Sequence, residues 1–222
     1  MSLFARLEEA AGPIRERILS HPFVRGLGDG SLPEDRFQYY LRQDYLFLIQ
    51  YCRVLALAVA RAEDLATAAR FADLLNLTLN VEMELHRQYA WKAGIAPEVL
   101  EDTRPAPTTA AYTNHLRVAA EAGDLAAIVA AILPCAHGYW EIATALRTQE
   151  GWDRHPLYAD WVRMYTSDEY EALARWVADL LDRLGEALPP DRETALREVF
   201  VQSQRYEYLF WEMAYRMEEW PV

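Results

Sequence analysis

Apolar residues recur at three- and four-residue spacing along nearly the whole chain, and alternating runs of Val, Ile and Thr are almost absent, so the pattern predicts an all-α fold. A first helix is predicted over about 3–20, stopping at His21-Pro22 because proline pushes the residue before it out of helical geometry. Gly26, Gly28 and Gly30 then read as a loop. Ser31, with Glu34 three residues on, has the signature of an N-cap and opens a long helix over about 33–61. Further helices are predicted over about 64–93, 108–122, 124–149 and 157–165, with Gly94, Pro97, Pro105 and Pro107 marking one connection and Gly123-Asp124 a shorter one. Ser167 caps a helix that reaches Leu188, Pro189-Pro190 ends it, and a last helix covers about 191–219. The expectation is seven or eight helices with no internal repeat, low-complexity tract or long linker, hence one domain over residues 1–222.

Composition narrows what such a bundle can do. Hydrophobic residues make up 52% of the chain and aromatics 12%, with seven Trp and thirteen Tyr, which suffices for a packed core and for a pocket walled by flat rings. A formal net charge of −12 repels phosphate backbones and anionic lipid, and Lys and Arg form no block, so neither nucleic acid nor a membrane surface is an expected partner. Uninterrupted apolar runs, such as 54–60, fall far short of the roughly 20 residues that span a bilayer. The first nine residues lack a basic segment followed by an apolar one and read as the start of a helix, so a cytoplasmic location is expected. Cys52 and Cys135 are the only cysteines and form no CxxC pair, which leaves two reduced thiols as the expectation.

Three segments carry candidate chemistry. Asp44 shares a helical face with Phe47, Leu48, Tyr51 and Leu55, which sets a carboxylate on an apolar, aromatic stripe. Burying that ion costs several kcal/mol unless a protein group or a ligand pairs with it, so Asp44 is either a structural ion-pair partner or a binding group. Cys135 and Tyr139 share a face four residues apart, and small Ala136 and Gly138 thin the helix around the thiol. Read alone, Cys135 fits an inert core position better than a nucleophile. His137 lies about 200° around the helix from it, so no Cys–His dyad is assigned. In the last helix Ser203, Glu207, Phe210, Trp211 and Ala214 share a face, placing Glu207 among rings, where low polarity favours the protonated carboxyl that a general acid needs. An ion pair with a nearby arginine is the structural alternative.

Metal chemistry rests on Glu82, Glu84 and His86 in one helix and on the His137/Glu141 pair, since i, i+4 spacing lets two ligands meet one ion. The Glu-x-x-His pairs of helical di-metal sites are missing, so ion pairs are the default and no metal site is assigned. A lone His21 is too little for haem ligation, and no cofactor is called for. Most other aromatics, Trp91, Trp161 and Trp176 among them, read as core.

Taken in order, these segments resemble the TenA (thiaminase II) family. His21-Pro22-Phe23-Val24, Leu32, Phe37, Tyr40-Leu41 and Gln43-Asp44-Tyr45 are similar to its opening, and Glu82-Met83-Glu84-Leu85-His86 to its middle. Pro134-Cys135 with Gly138-Tyr139, His155-Pro156, Met164-Tyr165-Thr166-Ser167 and Tyr206-Glu207 with Phe210-Trp211 complete the likeness over almost the whole chain. The resemblance implies a haem-oxygenase-like helical bundle, a homotetramer, and hydrolysis of 4-amino-5-aminomethyl-2-methylpyrimidine to the hydroxymethyl compound with loss of ammonia, in thiamin salvage. Some members also cleave thiamin. On the matching positions it implies Cys135 as nucleophile, Asp44 holding the ring's amidine edge, Glu207 protonating the leaving amine and activating water, and Tyr112, Tyr139 and Tyr165 against the ring. Cys135 sets this chain apart from the branch that uses a glutamate there, and Phe47 departs from the tyrosine that many members carry near the catalytic glutamate. Two other readings keep the fold: a metal-dependent oxidase using Glu82, Glu84, His86, His137 and Glu141, and a non-catalytic pyrimidine-binding or regulatory protein, prompted by Phe47.

Overall fold

The structure, a computed structural model, describes residues 1–222 apart from the side chains of Val81, Glu82 and Leu85. Among the described residues there is no strand; the elements are α1 (Leu3–Leu19), α2 (Pro22–Asp29), α3 (Glu34–Arg61), α4 (Leu65–Leu77), a π-helical turn (Thr78–Glu82), α5 (Met83–Lys92), α6 (Pro97–Glu101), α7 (Pro107–Ala122), α8 (Leu125–Arg147), α9 (Pro156–Tyr165), α10 (Asp168–Leu184) and α11 (Pro190–Arg216). That is eleven α-helices rather than the seven or eight expected. The chain forms two compact units, residues Met1–Pro33 with Val129–Glu212, and Glu34–Ile128 with Met213–Val222.

In the first unit, α1 starts where Ser2 Oγ accepts from the Ala5 N–H at 3.3 Å and ends before the predicted stop. His21 takes an extended backbone there, and its Nδ1 accepts from the Phe23 N–H at 3.1 Å, capping α2. A ring nitrogen that accepts carries no proton, so Nε2 bears it and donates to Glu212 Oε2 at 2.9 Å. His21 is thus built into a helix start. The helix α2 corrects the loop read from Gly26 and Gly28: these glycines sit inside a helix because neighbours press on their backbones. A Cβ on Gly28 would lie 2.7 Å from Leu146, and one on Gly26 3.0 Å from the backbone of Leu32. Only Gly30, at φ 77°, takes the left-handed conformation that ends the helix. Ser167 caps α10 as predicted, accepting from the Tyr170 N–H at 3.2 Å, but α10 stops at Leu184 rather than Leu188. The inner side chains Leu7, Phe23, Tyr158, Phe200, Phe210 and Trp211 are fully buried, each apolar one stabilising the unit by about 1.5–3 kcal/mol.

In the second unit, α3 begins at Glu34, which puts Pro33 in the flanking position. Ser31 therefore lies too early to cap it, and its N–H donates to Asp29 Oδ1 at 2.9 Å instead. The predicted helix over 64–93 is two α-helices joined by the π-turn, in which the Met83 N–H reaches Thr78 O five residues back. Among the described side chains the buried positions follow suit: Thr67, Phe71, Leu74 and Thr78 step by three or four, and Met83, His86 and Ala90 follow after a step of five. The short α6 falls inside the proline-marked connection. Trp91, read as core, is 69% exposed.

The helix α8 contains the most apolar stretch of the molecule, long enough by length and composition to cross a membrane. Of that window 72% is buried inside the protein, as in a core helix.

Candidate active site

In the first unit, α8 continues through Pro134, whose missing N–H removes one rung of the helical ladder immediately before Cys135. Cys135 is half-buried, whereas Cys52 is only 6% exposed. One turn on, the buried Tyr139 ring meets Tyr165 of α9 at 4.9 Å between centroids, Trp161 at 5.8 Å and Trp211 of α11 at 5.3 Å. Trp161 and Tyr165 lie 4.6 Å apart. Tilted rings at these distances are the favourable geometry for aromatic pairs and make a rigid apolar wall. Trp161 and Trp211 were not assigned to the site from the sequence. Each stands four residues from a residue that was, Tyr165 and Glu207, and that spacing is the signal that finds them.

Glu207 is 4% exposed on the face that also buries Ser203, Phe210 and Trp211. It lines a slot of about 10 Å³, the room for about one water, together with Gln204, Arg15, Pro134, Gly138 and Glu141. Arg15 spans the slot's edge, donating to Glu8 at 2.9 Å and to Glu141 at 2.8 Å. Burial pushes the Glu141 carboxyl up, and Arg15 works against that. His137 points elsewhere, as its helical position requires, with Phe4 at 4.9 Å and Trp140 at 5.2 Å edge-on. Burial first, then Arg15 and Arg175, push its pKa down to about 4, so it is neutral near pH 7.

In the second unit the predicted stripe of α3 is buried throughout: Asp44, Phe47, Leu48, Tyr51 and Leu55 are all 6% exposed or less. Phe47 stacks on Tyr51 at 5.9 Å and meets Tyr112 of α7 at 5.0 Å. Asp44 Oδ2 accepts from the Tyr40 hydroxyl at 3.3 Å and lies 3.5 Å from His86 Nε2. His86 is a close, uncharged neighbour of this carboxylate and not a charged partner. Burial pushes its pKa down to about 4, and its Nε2–H donates to Leu41 O at 3.1 Å. The sequence offered His86 as a metal candidate with an ion pair as the default, and its neutral place beside Asp44 was not read from it. Glu84, its supposed co-ligand, is exposed and pairs with Arg87 at 3.5 Å; Glu82 lies outside the described side chains.

The His86 shift has a sign. Unfolded, the imidazole takes a proton below about pH 6.5, while the folded protein refuses it until about pH 4, so stability held at neutral pH is lost as the pH falls through that window. By pH 5 His86 alone removes about 2 kcal/mol. Urea unfolding of wild type and His86→Gln at pH 7 and pH 5 checks this. The variant should lose less stability between the two; equal losses refute the assignment.

The sequence matches the model of the TENA/THI-4/PQQC family over residues 8–217. It is 44% identical over 220 residues to an aminopyrimidine aminohydrolase of Halalkalibacterium halodurans, covering 99% of this chain and 98% of that protein. Among solved structures, a TenA homologue from P. horikoshii superposes with a TM-score of 0.89 at 28% identity, covering 97% of this chain and 99% of the other. A haem oxygenase-like domain from Shewanella denitrificans gives 0.75 at 14% identity, over 96% and 92% of the two chains, and shows that the fold is haem-oxygenase-like. With a family model spanning nearly its full length and a relative matched almost end to end, this chain belongs to the TENA/THI-4/PQQC family.

Proposed function

We propose that this protein is an aminopyrimidine aminohydrolase, releasing ammonia from 4-amino-5-aminomethyl-2-methylpyrimidine. The observation that carries the reading is the 44% identity over 99% of the chain to a protein of that name. A half-buried thiol one helical turn from a wall of tyrosine and tryptophan rings supports it.

The residues divide the chemistry as follows. Asp44 accepts N–H bonds from the ring's amidine edge, which orients the ring and favours its electrophilic form, while Phe47, Tyr112, Tyr139 and Tyr165 contact its faces and edges. The Cys135 thiolate adds to a ring carbon, and the electrons released into the ring expel the amine from the exocyclic carbon. Glu207 delivers the proton that lets the amine leave as neutral ammonia. Its carboxylate then takes a proton from the water that adds at the same exocyclic carbon, and return of the electrons expels the thiolate. The sum is aminomethyl pyrimidine plus water giving hydroxymethyl pyrimidine plus ammonia. Thiamin, which carries a thiazolium on that carbon, enters the same sequence.

The test is ammonia release from the aminomethyl pyrimidine by the purified protein, with product identity by mass spectrometry; tight binding without turnover would favour the regulatory reading. We also place the protein in the cytoplasm, acting as one domain per chain and as a homotetramer. Leu65, Leu77, Leu79 and Trp91 are large apolar side chains at least half exposed in the isolated chain, as an assembling surface requires. Light scattering should return four times the 25.6 kDa chain mass; a monomeric mass refutes the assembly.

A further inference from the structure

The helix that carries Tyr112 cannot cap itself. Its N-cap position is Ala106, with no side-chain acceptor, and Pro107 follows. The groups at its start are held from two distant parts of the second unit. From α3, Gln43 Oε1 accepts the Ala106 N–H at 2.9 Å and the Thr109 hydroxyl at 2.7 Å, while its Nε2 donates to Arg104 O at 3.0 Å. From the segment after α11, Glu218 Oε2 accepts the Thr108 N–H at 2.9 Å, and Trp220 Nε1 donates to Pro105 O at 2.9 Å. The segment is itself turned and tied down. Met217 takes φ 51°, the Glu218 N–H returns to Met213 O at 3.0 Å, and the Tyr39 hydroxyl donates to Glu218 O.

We infer that Gln43 and Glu218 are positioning residues that clamp the start of α7 and so fix Tyr112 relative to Asp44. Gln43 is the residue before Asp44 and stands one turn from Phe47, the ring against which Tyr112 packs. These hydrogen bonds tie the start of α7, about one turn before Tyr112, to α3 and to the segment after α11. A carboxylate at a helix N-terminus also meets the positive end of the helix dipole, which makes Glu218 a suitable cap for a start that lacks one. The inference rests on the reading that Asp44 and Tyr112 hold the ring, and it assigns part of substrate affinity to a segment that touches no substrate.

The test uses the full-length protein and the aminomethyl pyrimidine. Gln43→Met and Glu218→Ala should each raise KM about tenfold while kcat falls less than about threefold, the pattern of lost ground-state positioning. Glu218→Gln, which keeps an acceptor oxygen, should return KM to near the wild-type value. Amide hydrogen exchange without substrate supplies a second readout: residues 106–112 should exchange faster in Gln43→Met and Glu218→Ala than in wild type. Unchanged KM in both variants, or unchanged exchange over 106–112, overturns the clamp. Asp44→Asn in the same assay separates the two readings. If it abolishes turnover while the clamp variants keep wild-type KM, the clamp fails and the site reading stands; if it turns over normally, the site reading fails and takes the clamp with it.

Discussion

Cys135→Ser should lower the rate of ammonia release by at least about 10³-fold, the scale on which a catalytic nucleophile is lost, with the fold intact. A serine hydroxyl is close in size to the thiol, so the half-buried position accepts it, but it is far too weakly acidic to supply an anion near neutral pH. Burial adds a chemical control. Half-buried Cys135 should be alkylated by iodoacetamide well before Cys52, which is 6% exposed, and saturating pyrimidine should protect it. Equal rates in wild type and Cys135→Ser would remove the thiol from the reaction whatever the alkylation shows.

Glu207→Gln should lower kcat for the aminomethyl pyrimidine by about 10²–10⁴-fold, the range of positioned acid–base groups, with little change in KM. The amide keeps the shape of the carboxyl on its buried face but neither delivers a proton nor takes one. The two substrates sharpen the point. An amine must be protonated to depart as neutral ammonia, whereas a thiazolium departs as neutral thiazole with no proton added. The loss should therefore be larger for the aminomethyl pyrimidine than for thiamin. Equal losses on both would confine Glu207 to the water-addition step, and no loss on either would remove it from the mechanism.

Much of this was legible in the chain because helical spacing dictates which residues share a face. The stripe from Asp44 to Leu55 and the face around Glu207 are buried as read, and the stop at His21-Pro22 and the cap at Ser167 stand where the residues put them. What escaped was set by tertiary approach. Gly26 and Gly28 look like loop formers until the neighbours that press on them are known, and Ser31 has the right residue type two positions too early. The role of His86 depends on a carbonyl 45 residues away, and that of Gln43 on groups 61–66 residues away at the start of α7. Neither pairing leaves a periodic trace in the sequence.

The π-turn at Thr78–Glu82 bears on how the chain tolerates changes in length. A π-turn is an α-helix that has absorbed one extra residue while the flanking turns keep their facing, which is why, among the described side chains, the buried series steps by five between Thr78 and Met83 and then resumes with His86. Removing one residue there closes the helix into regular α geometry with Phe71 and His86 still turned inward. The same deletion within α4, or in α5 before His86, rotates everything beyond it by about 100° and carries His86 away from Leu41. Natural length variation along this helix pair therefore has one place where it can be absorbed without redirecting the residues behind Asp44.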